Sequence, residues 1–170
     1  ATVSITVNTS DTATSTITLP AYSELTADVD GTTYKFLTTA AYSGINNGSG
    51  SFPILTSTGS STIPITEGTF RTKTFIVGET SDEQIYVIPD ESLDTSTITV
   101  KVFDTITSST SQTYTNVNDV VSIDTNSTVF ILREAPNGYY EITFSDGRIL
   151  GRAPSAGNKI QVQYLAASGE

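Results

Sequence analysis

Carboxylates are the residues of this chain best placed to do chemistry. Glu134, Glu141 and Asp146 lie close together in sequence, and a glycosidase needs only two carboxyls flanking the scissile bond. The surrounding pattern offers each a structural role instead. Glu141 alternates with Tyr140 and Ile142, so it faces solvent if they face a core. Asp146 precedes Gly147, where an Asp side chain bonds the backbone of a turn. The chain has no Trp to serve as a broad stacking platform for sugar. The expectation is that the protein is not an enzyme.

Metal chemistry rests on the same residue types. Asp28-Val29-Asp30-Gly31 is similar to the opening of a calcium loop, but Lys35 and Phe36 interrupt the ligand spacing that such a loop needs. Residues 79–94 carry six acids (Glu79, Asp82, Glu83, Asp90, Glu91, Asp94) and no Lys or Arg. Such a run reads as a solvated face or a docking patch. No metal and no cofactor is expected. Sequons at Asn8, Asn47 and Asn126 carry little weight in a chain where Ser and Thr make up roughly 30 % of residues. Arg133, Arg148, Arg152 and Lys159 are half of the 8 cationic residues. Pairing with nearby carboxylates across strands is the favoured reading, and docking of an acidic neighbour is the alternative.

Absences narrow the field. With no Cys, His, Met or Trp, thiolate nucleophiles, imidazole bases, disulfides and zinc sites of the usual type are excluded. A formal net charge of -10 repels phosphate backbones and anionic lipid, so neither nucleic acid nor membrane is an expected partner. Apolar runs are far shorter than the roughly 20 residues that span a bilayer, and no signal peptide is visible. A chain running from Ala1 to Ser168-Gly169-Glu170 without Met reads as an internal piece of a longer polypeptide.

The elements holding these residues follow period two almost throughout. Val3, Ile5 and Val7 alternate with polar residues, as do Ile17 and Leu19. Leu25, Ala27 and Val29 lead into Asp30-Gly31, with Tyr34 and Phe36 beyond. Asp-Gly between such runs predicts a type I′ hairpin, which needs positive φ at both central residues. Residues 43–51 read as a loop, and Pro53 and Pro64 assign their segments to edge strands or connectors. Phe70 to Val77, Ile85 to Ile88 and Val129 to Leu132 read as strands. So do three alternating runs: Ile98/Val100/Val102, Tyr140/Ile142/Phe144 and Ile160/Val162/Tyr164. No window has helical periodicity. The expectation is an all-β fold of antiparallel sheets with essentially no long helix. Two small sandwich- or barrel-like subdomains divide it, an N-terminal one over 1–78 and a C-terminal one over 79–170 with the Phe-Ser-Asp-Gly turn motif.

Residues 138–152, Gly-Tyr-Tyr-Glu-Ile-Thr-Phe-Ser-Asp-Gly-Arg-Ile-Leu-Gly-Arg, together with 157–165, Gly-Asn-Lys-Ile-Gln-Val-Gln-Tyr-Leu, carry a resemblance. They resemble the baseplate wedge proteins of T-even-like contractile-tailed phages, within the broader baseplate-J-like family. Leu19-Pro20-Ala21-Tyr22-Ser23, residues 30–36, Glu67-Gly68 and Ile88-Pro89 leading to residues 94–98 extend it over most of the chain. Ser145 stands where relatives often have Gly. The residues that carry the motif are Gly138, Tyr140, Phe144, Asp146, Gly147, Gly151, Gly157 and Tyr164. Their chemistry is architectural: turns, glycine-only backbone and a buried face.

The resemblance implies a structural viral protein of the virion, in the tail baseplate, assembled in the host bacterial cytoplasm. It implies protein–protein interaction with other baseplate wedge subunits, and with a second copy of itself, in the baseplate ring. A receptor- or glycan-binding β module of a virion or cell surface is the alternative, suggested by the Ser/Thr-rich, Tyr-containing surface.

Overall fold

The computed structural model describes residues 1–79, 84–145 and 151–167. Half of the chain is strand, no helix among the described residues reaches seven residues, and the sheets curl into half-barrels and a nearly closed barrel. Among the described residues, no helix is long and apolar enough to cross a membrane. The chain forms two compact units, one over Ala1–Phe70 and one from Arg71 onward.

The first unit has two four-stranded sheets. One orders β1 (Thr2–Val3), β8 (Ile63–Glu67), β5 (Thr32–Thr38) and β4 (Glu24–Val29). The other orders β2 (Thr6–Asn8), β7 (Ser51–Leu55), β6 (Tyr42–Ile45) and β3 (Thr16–Leu19). Tyr42, Ile54 and Ile63 are its buried cluster, with Val3, Ile5, Ile17 and Leu19 packed against them. The β4–β5 hairpin turns as its Asp-Gly predicts: Asp30 has φ 51°, Gly31 has φ 82°, and Val29 pairs with Thr32.

Two expectations for this unit are corrected. The loop read over 43–51 begins only at Asn46, because Ser43-Gly44-Ile45 belong to β6. Gly44 is the reason that strand fits: a Cβ there would lie 2.9 Å from Ile54 Cδ1 and 3.0 Å from the Pro53 carbonyl. The two proline-bearing strands are internal, not edge strands. Strand β7 pairs with β2 through Ser51, Phe52 and Pro53, then with β6 through Ile54 and Leu55. Strand β8 pairs with β1 at Ile63 and Pro64, then with β5 from Ile65 onward. On each strand the second partner's ladder begins only after the proline. The missing N–H therefore falls where only one ladder is present, which lets a proline sit inside a sheet.

The second unit is one seven-stranded sheet. Its order is β10 (Ile85–Ile88), β14 (Tyr140–Phe144), β13 (Val129–Glu134), β12 (Ser111–Asn116), β11 (Thr99–Phe103), β15 (Lys159–Ala166) and β9 (Thr69–Ile76). Strands β10 with β14, β14 with β13, β12 with β11 and β11 with β15 pair antiparallel, whereas β12 and β13 run parallel through Thr115–Val129 and Asn116–Phe130. The alternating faces read from sequence form its core: Val100, Val102, Ile142, Ile160, Val162 and Tyr164 are buried with Tyr114 and Phe130. Short 3-10 turns lie at Thr95–Thr97 and Val117–Asp119. Between the second turn and β13 the apolar residues Val120, Val121 and Ile123 form no strand, and Val121 is fully exposed.

Candidate functional site

The motif residues of the C-terminal third are distributed through the second unit rather than gathered at one point. Gly138 (φ 78°) closes the five-residue β13–β14 loop, its N–H bonded to the Ala135 carbonyl at 2.9 Å. Tyr140 follows, paired with Glu134 and half-buried against the core. Phe144 meets Tyr114 edge-on at 5.2 Å and Tyr86 at 5.8 Å, and Phe75 lies 5.3 Å beyond Tyr86. Such ring contacts contribute roughly 0.5–1.5 kcal/mol each beyond area burial. Asp146, Gly147 and Arg148, and with them the expected Asp-Gly turn, lie outside the described residues.

Gly151 is the most constrained of these glycines. It has φ 73°, donates its N–H to the Asp124 carbonyl at 2.8 Å, and leaves only 2.7 Å between a Cβ and Val129 Cγ2. Gly157 has φ 86° but opens onto free space; its N–H bonds the Val77 carbonyl at 2.9 Å.

Tyr164 leads to a polar cluster that sequence reading did not find. Its hydroxyl donates to Asp90 Oδ2, to which Arg71 Nη1 donates at 2.7 Å. The Ser92 N–H donates to Asp90 Oδ1 at 3.1 Å. Asp90 is one of two buried polar residues among the described residues, at 7 % exposure. Burial, followed by the Asp90 carboxylate, pushes the Tyr164 phenol up to about 12. Burial also raises the Tyr86 and Tyr114 phenols, with Arg152 opposing the shift at Tyr114. One signal could have exposed the cluster: a tyrosine on the buried face of an alternating strand requires a partner for its hydroxyl.

The other buried polar residue, Thr38, holds the Leu19-to-Ser23 turn of the first unit. Its Oγ1 donates to the Pro20 carbonyl at 2.9 Å and accepts from the Ser23 N–H at 3.1 Å. Within that turn Tyr22 adopts φ 63°, a left-handed conformation uncommon outside glycine. Its ring lies 4.3 Å from that of Phe70.

The candidate carboxylates do not converge as a glycosidase pair would. Glu134 pairs with Tyr140 and Arg133 with Glu141, so Glu134 and Glu141 project from opposite faces of the sheet. Glu134 and Asp119 do line one open cavity, but both are exposed. A general acid is ordinarily buried to raise its pKa. Asp28 accepts from the Thr33 hydroxyl across the β4–β5 hairpin. Among the described residues, no three carboxylates gather where they could share a metal ion.

The acidic run also divides. Asp90 is buried, Asp94 caps the 3-10 turn at Thr95–Thr97, and Glu91 lies beside Gly138. Of the late cations, Arg152 donates to Gln112 at 3.4 Å, and Lys159 donates to the Ile106 carbonyl at 3.0 Å. The Lys159 ammonium also lies 4.1 Å from the Phe103 ring. The cross-strand carboxylate pairing read for these two is therefore replaced by neutral and aromatic contacts. Among the described residues, the ion pairs are Lys35–Glu24 at 3.0 Å and Arg71–Asp90. No family model matches the chain, and no curated protein is similar to it.

Proposed function

We propose that this chain is a structural, non-enzymatic module of the baseplate wedge of a contractile phage tail, joining neighbouring wedge subunits in the baseplate ring. The reading rests on the sequence resemblance. The observation that carries it further is the use made of the resembling residues: Gly138, Tyr140, Phe144, Gly151, Gly157 and Tyr164 occupy turns and core positions. Residues that serve turns and packing suit a part whose work is mechanical. The partners are other wedge subunits and a second copy of the chain, held by contacts that repeat around a ring. The place of action is the virion baseplate, assembled in the bacterial cytoplasm.

Immunogold labelling of purified virions of the encoding phage, using antibodies raised against this chain, tests the proposal. Label is expected at the distal end of the tail. Its absence from virions, or its location on the head, overturns the proposal. Glycan recognition is the second reading, and the open cavity of the second unit favours it.

A further inference from the structure

The cavity lined by Asp119 and Glu134 has a volume of about 690 Å³, within the roughly 300–1,000 Å³ of ordinary small-molecule sites. The alternation of β13 creates it. Phe130, Leu132 and Glu134 share one face, and exposure rises along them from buried to half-buried to exposed. The sheet's inner face therefore opens at the Glu134 end instead of closing on apolar side chains. Half-buried Tyr140, paired with Glu134, stands at that opening. The rest of the wall comes from the 3-10 turns at Thr95–Thr97 and Val117–Asp119, which bring Asn118 and Asp119, and from β11 and β12, which bring Asn116 and hydroxyl-bearing residues at 99, 113 and 115.

The lining selects a ligand class by what it offers. No Lys or Arg lines the cavity, and the chain is strongly acidic, so phosphate, sulfate and carboxylate ligands meet repulsion without a partner. Neutral polar groups outnumber the apolar ones, which disfavours a lipid or a hydrocarbon. Carboxylates and side-chain amides each present two polar atoms that can bridge adjacent hydroxyls, and Thr and Ser hydroxyls both donate and accept. An aromatic ring provides an apolar face for the C–H side of a sugar.

We propose that this cavity binds a neutral saccharide, with Asn116, Asn118, Asp119 and Glu134 engaging its hydroxyls and Tyr140 packing against its ring. The proposal rests on the second reading above, glycan recognition, and not on the baseplate reading; it places that recognition in the second unit.

Amide-resolved NMR titration of the whole chain tests it. The probes are glucose, galactose, mannose and N-acetylglucosamine, with inorganic phosphate and spermidine as controls. At least one sugar is expected to give saturable shifts confined to residues 95–99, 113–119 and 130–140. Glu134→Ala and Asn118→Ala, both at exposed positions, should each weaken that binding by about tenfold, as loss of a hydrogen bond to a charged or planar polar group does. Away from the cavity, both variants should retain the parent spectrum. Saturation by spermidine with silence from every sugar overturns the proposal and identifies a cation-attracting patch. Shifts elsewhere, shifts insensitive to both variants, or no saturable shift at all also overturn it.

Discussion

Tyr164 donates its hydroxyl to Asp90 Oδ2 at 2.8 Å across 74 residues of chain, tying the last strand of the second unit to the turn that follows β10. Arg71, in β9, donates to the same oxygen. Three segments distant in sequence thus meet at one buried carboxylate whose hydrogen-bonding capacity is used from several sides. A buried charge is tolerated only when paired and hydrogen-bonded in this way.

Removing members of that cluster should produce unequal losses. Tyr164→Phe deletes one bond to a carboxylate and leaves Asp90 held by Arg71 and the Ser92 N–H, so a loss of about 1.5 kcal/mol is expected. Asp90→Ala strands a buried tyrosine hydroxyl and should cost about 2–4 kcal/mol. Urea unfolding monitored by tyrosine fluorescence measures both. Equal losses would contradict the arrangement.

Alkaline pH should weaken the fold through the same phenol. Its pKa is raised in the folded state, from 10.0 to about 12. The associated stability is complete below pH 10 and is lost as pH rises toward 12. Tyr164→Phe should flatten this limb of a plot of unfolding midpoint against pH. Tyr86 and Tyr114, whose phenols are also raised, should keep a smaller slope in the variant.

Two glycines with similar backbone angles should respond differently to a methyl group. Gly151→Ala and Gly157→Ala each place an L residue in the left-handed region, costing roughly 1 kcal/mol. Only the first drives its Cβ to 2.7 Å from Val129 Cγ2 and 3.0 Å from the Ser127 carbonyl. Thermal unfolding should show a clearly larger drop for Gly151→Ala.

In the first unit, Thr38→Val retains shape but removes both side-chain hydrogen bonds to the Pro20–Ser23 turn. A loss of about 1–3 kcal/mol is expected. Hydrogen exchange at Ser23 should accelerate more than exchange at the β4–β5 hairpin. Uniform acceleration across the unit would argue against a local latch.

Legibility in the sequence tracked how local each cause was. The Asp30-Gly31 turn was readable because two adjacent residues dictate it. The Ile98, Tyr140 and Ile160 runs were readable because alternation reports burial directly. Strand β12 was missed because Tyr114 is the sole apolar residue between Ser111 and Asn116, leaving no alternation to detect. Its parallel pairing with β13 depends on an irregular connection that no local signal encodes. The irregular valines at 117–121 supplied apolar residues without a strand. For the candidate sites, the glycines and aromatics were visible individually. Asp90 with Arg71, and Asp119 with Glu134, were not, because only the folded sheet brings each pair together.

The proline positions in β7 and β8 bear on how the first unit yields. Strands β1 and β2 are each attached on one flank, and their backbone bonds end one residue past the prolines, where the Ile65 N–H donates to the Ala1 carbonyl at 3.0 Å and the Ile54 N–H to the Ile5 carbonyl at 2.9 Å. Beyond those points the neighbouring ladders do not depend on them. Residues 2–8 therefore resemble a hem that can be unpicked while the cloth stays whole. Amide exchange over Thr2–Asn8 is expected to outpace that of Leu37 and Ile65, and equal protection would show the hem and the cloth to be one piece.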